Sequence, residues 1–117
     1  MSKTLDFTAM KAKKQLLTIT FIDGNKILVK TPTKKIMDSL LALKSDFETV
    51  EEHGEENEAS AEALNEIYEI CASIMSNNIG QKKIEVDYLS EVLDLEDLII
   101  FFESYTEFVN ELNKVKN

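Results

Sequence analysis

Chemistry in a sequence begins with the side chains that can carry a charge, a proton or a nucleophile, and here nearly all of them are carboxylates. There are 22 Asp and Glu residues against one histidine, His53, and one cysteine, Cys71. His53 lies in the run ETVEEHGEENE at residues 48–58, which could be imagined as a His/Glu metal site. The run lacks the alternating Asp/Asn and central Gly of a calcium loop, so its acids read as a solvated segment. Cys71 falls on an apolar helical stripe, where a thiol is an inert core group, and it is far from His53 in sequence. Paired carboxylates recur at Glu51-Glu52, Glu55-Glu56 and Glu96-Asp97. Acid/base catalysis needs a pocket that moves the two pKa values apart, and nothing around these pairs supplies one. No phosphate-binding glycine loop, dinucleotide fingerprint, HExxH, CxxC or GxSxG is present. The sequence therefore predicts no catalytic residue, cofactor or metal, and a binding or assembly role in place of an enzyme.

Charge is unevenly spread. The net charge is −9, yet residues 1–47 carry +5 and residues 48–117 carry −14. Such polarity suits head-to-tail self-association or a basic partner. All 13 positive charges are lysine, which removes bidentate guanidinium recognition of phosphate. Nucleic-acid binding, which needs clustered cations, is not expected. With one cysteine no internal disulfide can form, and no apolar run suits a signal peptide or a membrane span, so a cytoplasmic protein is expected.

These features are carried by a single expected domain of the α+β class, an N-terminal β-hairpin packed on a mostly α-helical domain of about four helices. Residues 1–14 read as a basic flexible arm and 15–117 as the domain. Residues 15–31 hold two runs rich in Ile, Val, Thr and Phe around Asp23-Gly24-Asn25, a hairpin signal. A three-residue loop at 23–25 would pair Phe21 with Ile27, Ile19 with Val29 and Leu17 with Thr31. It puts the apolar side chains on one face, with Asn25 in the left-handed position. Thr31-Pro32 opens a helix over 32–48, with Thr33 as an alternative cap and Ile36, Met37, Leu40, Leu41, Leu43 and Phe47 as its apolar stripe. An acidic loop is expected at 49–58. A helix over 59–78 carries Leu64, Ile67, Tyr68, Cys71, Ile74 and Met75 on one face, and Asn77, Asn78 and Gly80 supply its stop signals. A short helix follows over 84–93, and a long one over 94–114.

The last helix looks the most central. Asp94 is its expected N-cap, with Asp97 in the first turn. Leu95, Leu98, Ile99, Phe102, Val109 and Leu112 form one stripe, and Phe101, Tyr105, Phe108 and Val115 a second. Two stripes imply either a helix buried within its own domain or one shared with another chain. On the second reading Phe101, Tyr105 and Phe108 stay partly exposed in the monomer and, with Leu28, are the candidate protein-binding residues.

The order hairpin, Thr-Pro-led helix, acidic segment, amphipathic helix, then KIEVDYLSEVLDLEDLIIFFESYTEFVNEL, with its I-x-V-D-x-L, L-D-L-E-D-L and F-F cadence, resembles the tail assembly chaperones of long-tailed bacteriophages of Gram-positive hosts. The resemblance spans roughly residues 15–112. It implies a non-enzymatic protein of the host cytoplasm, absent from the mature virion, that coats the tape-measure protein and recruits tail-tube subunits. It also implies homo-oligomers, and a longer form made by ribosomal frameshifting. The alternative that composition leaves open is an acidic inhibitor or adaptor acting by charge mimicry on a basic partner.

Overall fold

The computed structural model describes residues 16–54 and 58–115, without the side chains of 59 and 112–115. The expected basic arm lies outside these residues. Among the described residues the chain forms a two-stranded antiparallel hairpin, β1 (Leu17–Thr20) and β2 (Lys26–Val29), and four helices. These are α1 (Lys34–His53), α2 (Glu58–Ser76), α3 (Val86–Val92) and α4 (Leu95–Val115). The expected hairpin-plus-helices arrangement is present. No helix of the described residues is long and apolar enough to cross a membrane.

The hairpin keeps the expected faces but not the expected pairing. Leu17 pairs with Val29 and Ile19 with Ile27, so the register is shifted by two residues from the expected one. A shift of two leaves every side chain on its own face, which is why face matching could not detect it. Turn chemistry decides instead. Phe21 N–H donates to the Asn25 carbonyl at 2.7 Å, and Gly24 N–H to the Phe21 carbonyl at 2.9 Å. Gly24, not Asn25, takes the positive φ of 92°, which a residue without Cβ adopts at no steric cost. The Asp23 carboxylate accepts from the Asn25 backbone and side-chain N–H groups at 3.0 and 2.9 Å. It also accepts the Tyr88 hydroxyl proton at 2.8 Å, which ties the turn to α3. These donors, the Asn25 N–H first, hold the Asp23 carboxyl below its ordinary pKa.

The outer edge of β2 is closed by the chain that leaves α2. Lys30 N–H donates to the Asn77 carbonyl at 2.8 Å and Ile79 N–H to the Leu28 carbonyl at 3.0 Å. Asn78 organises this exit. Its buried side-chain amide donates to the carbonyls of Met75 and Lys82 at 2.8 and 2.7 Å and accepts from Lys82 N–H at 2.9 Å. The sequence marks Asn78 only as a stop signal; in the fold it fastens the end of α2 to the following connector.

Helix boundaries differ from expectation where side-chain anchoring outweighs charge. Thr33, the alternative cap, starts α1 at Lys34 instead of Thr31-Pro32, its hydroxyl accepting Ile36 N–H at 3.2 Å. The helix runs on through the acidic segment to His53 and stops at Gly54. Val50 is the reason: it lies on the same face as Leu43 and Phe47 and is buried, which outweighs repulsion among exposed glutamates. The expected loop at 49–58 is therefore helical at 49–53. The α4 cap is a reciprocal pair: Asp97 N–H donates to Asp94 Oδ1 at 2.9 Å and Asp94 N–H to Asp97 Oδ2 at 3.0 Å.

The hub is α2, not the last helix. It touches all three other helices and β2. Its apolar face holds Ile67, Cys71, Ile74 and Met75, each fully buried, as its stripe predicts. Ala63 and Ala72, also buried, flank them.

Candidate functional site

The expected binding stripe on the last helix is core. Phe101 is 7% exposed, Tyr105 0% and Phe108 7%. Their rings lie in series, Phe101 to Tyr105 at 5.8 Å and Tyr105 to Phe108 at 5.9 Å between centroids. The correction follows from helix geometry. At about 100° per residue the two stripes are neighbouring sectors of one wide apolar face. Leu98, Phe101, Tyr105, Phe108 and Val109 occupy its buried middle and one flank. The other flank, with Leu95, Ile99 and Phe102, is the one left half-buried or exposed. Leu112 and Val115 fall outside the described side chains. Leu28, the other candidate, is exposed on the outward face of the hairpin, where its carbonyl meets Ile79.

The exposed flank of α4 borders a groove of about 620 Å³ running along the C-terminal half of α1. Its floor is apolar: Phe47 and Val50 from α1, Leu95 and Phe102 from α4. The Phe47 and Phe102 rings meet at 5.4 Å between centroids. Its rim is charged and exposed, with Glu48, Glu51 and Lys44 on α1 and Glu103 beside Ile99 on α4. Gly54 ends the α1 wall. An apolar trough edged mainly by carboxylates fits an amphipathic helix whose apolar stripe is flanked by lysine or arginine. Sequence reasoning missed it because its walls come from residues 44–54 and 95–103. Partial signals existed: Ile99 and Phe102 on one stripe, and Phe47 closing another.

The residues that could do other chemistry are placed elsewhere. Cys71 is fully buried on α2, and burial pushes its thiol up to about 12, so it is no nucleophile near neutral pH. His53 is exposed at the end of α1. Among the described residues no three His, Cys, Asp or Glu side chains are placed to hold a metal ion. The paired acids Glu96 and Asp97 sit in the first turn of α4, where they complement the helix dipole.

One carboxyl is unusual. Asp46, on the α1 side facing α2, has a buried Oδ2 with no hydrogen-bond partner. Burial first, then the adjacent Glu66 carboxyl, raises it from 3.8 to about 6. When both groups are ionised there is no proton to share between them; one proton converts repulsion into a hydrogen bond.

The cadence that carries the phage-chaperone resemblance is accounted for by folding. Leu89, Leu98 and Phe101 are core, and Asp94 and Asp97 form the helix cap. Comparison with protein-family models, curated proteins and solved structures gave no match to this chain.

Proposed function

We propose that the protein is a non-enzymatic tail assembly chaperone of a long-tailed bacteriophage. In this reading it acts in the host cytoplasm, holds helical segments of the tape-measure protein, helps recruit tail-tube subunits, and is left out of the mature virion. The observation that carries it is the groove between α1 and α4, an apolar floor with an acidic rim. Supporting it is the order of elements on which the resemblance rests, hairpin, long helix, amphipathic helix, short helix and last helix. A long helical client offers repeated apolar stripes that would otherwise self-associate, and a shallow groove can shield one stripe without requiring a fixed sequence.

The test is co-expression with a candidate tape-measure protein, followed by co-purification at low and high salt. Capture that survives high salt fits a contact carried by the apolar floor. Capture of basic proteins that disappears at high salt fits charge mimicry instead, and contradicts this reading.

A further inference from the structure

The groove between α1 and α4 has two unlike ends, and the helix directions place its charges. The chain turns back between His53 and Glu58, so α1 and α2 run antiparallel, with the Asp46 and Glu66 carboxyls adjacent. Tyr68, two residues beyond Glu66, therefore stands about level with Lys44, and its hydroxyl donates to the Leu93 carbonyl at 2.8 Å. Hence α4 starts at the Lys44 end of the groove. Phe102, seven residues beyond Leu95, meets Phe47, so α4 advances in the same sense as α1. The rim follows that direction. Lys44 and Leu95 mark one end; Glu51, Gly54 and Glu103 mark the other, with Glu48 between. Lys44, Glu51 and Glu103 are all exposed. The carboxylates that start α4, Asp94 and Asp97, are engaged with each other's backbone N–H groups as a cap.

We infer that the groove fixes the direction in which a helical client lies. The client's apolar stripe covers Phe47, Val50, Leu95 and Phe102, its cationic end lies over Glu51 and Glu103, and its acidic end lies over Lys44. The inference rests on the functional proposal in taking a helix as the occupant, and adds the order of charges along it. Length makes the two ends separable. At 1.5 Å per residue the α1 wall from 44 to 54 is about 15 Å long, room for about three turns of client helix. The Debye length at physiological salt is about 8 Å, so each end of the groove acts on the client charges nearest to it. The apolar floor supplies contact area, which has no preferred direction along the groove; the rim penalises the reversed pose, in which like charges face each other at both ends. The groove therefore takes segments that carry lysine or arginine towards one end of the stripe and aspartate or glutamate at the other.

Two synthetic helical peptides with one apolar stripe test it, the first with lysines in its first turn and glutamates in its last, the second with these exchanged. Each carries a nitroxide at its N-terminus and is added to the full chain labelled with nitrogen-15. The lysine-first peptide should take most of the intensity from amides around Glu51, Gly54 and Glu103. The glutamate-first peptide should instead broaden those around Lys44 and Leu95. The double variant Lys44→Glu, Glu51→Lys should exchange the two patterns, and a thermal melt shows that it folds. If it does not, Lys44→Gln with Glu51→Gln replaces it, and both ends should then be broadened alike by either peptide. The same amides broadened by both peptides, both ends broadened equally in wild type, a pattern that the variant leaves unchanged, or binding of neither peptide overturns the inference. Tape-measure capture that Ile99→Asp abolishes, with peptides that lie in no fixed direction, defeats this inference and leaves the functional proposal standing. Oriented peptides with no capture of tape-measure protein do the reverse.

Discussion

The two flanks of α4 are both apolar and are buried to different depths. Phe101, Tyr105 and Phe108 face inward and are buried, while Leu95, Ile99 and Phe102, on the other side of the same apolar face, border an open groove. A helix with a wide apolar sector can cover its whole width only if neighbours stand on both sides of it. Here α2 is the hub of the fold, whereas α1 meets the other flank mainly at its floor, through the Phe47–Phe102 contact. Stripe composition thus sets burial capacity, and the placement of neighbouring elements decides which part of that capacity is used.

The largest effect expected from breaking this contrast is on the inner flank. Tyr105→Ala and Phe108→Ala should each lower stability by about 3–5 kcal/mol in urea melts, the cost of a cavity in a packed core. A loss under about 1 kcal/mol would return these residues to the surface. Tyr105→Phe, by contrast, should be neutral or slightly stabilising, because its buried hydroxyl has no partner.

Next comes the knot at the end of α2. Asn78→Ala leaves the Met75 and Lys82 carbonyls and the Lys82 N–H without their partner, and should cost about 2–3 kcal/mol. Hydrogen exchange at the Lys30 and Ile79 amides should quicken with it, because both are paired to the same stretch of chain.

Asp46 gives a smaller, pH-dependent effect. Its folded pKa of about 6 lies above the ordinary 3.8, so the folded state binds the proton more tightly than the unfolded one. Stability should therefore fall as pH rises from about 4 to about 6, and the cost should persist at pH 7. Asp46→Asn removes the charge, and at pH 7 should stabilise by about 1 kcal/mol after allowance for solvent screening. The gain should shrink towards zero below about pH 4, where wild-type Asp46 is protonated in both states. Urea melts of both proteins across this range check it, and a gain that does not vary with pH would contradict the assigned cause.

The smallest change is expected on the outer flank. Ile99→Ala should alter stability by less than about 1 kcal/mol, since its side chain is already 37% exposed. The ratio of this value to the Tyr105→Ala value measures how unequal the two flanks are.

Much of the fold was legible in the sequence because it rests on local periodicity. The two-residue alternation around Asp23-Gly24 gave the hairpin and its faces, and the three- and four-residue steps gave Ile67, Cys71, Ile74 and Met75 as the core face of α2. The pairing register was not legible, because the wrong and right pairings differ by an even shift and bury the same side chains. The end of α1 was misplaced because charge density at 48–58 hid the one apolar anchor, Val50. Asn78 reads in the sequence as a helix stop, but its bonds to Lys82 depend on a turn that single-residue preference does not encode. The groove was the least legible feature. Phe47 and Phe102 are 55 positions apart, and no local pattern reports that their rings meet.

The most direct test of the account is capture of a tape-measure protein by Ile99→Asp compared with wild type, at equal expression and with thermal melts in parallel. The account predicts that a carboxylate placed at the groove edge leaves the melt within a few degrees of wild type and abolishes capture. Undiminished capture by a folded Ile99→Asp protein would contradict it, and would place the client elsewhere on the molecule.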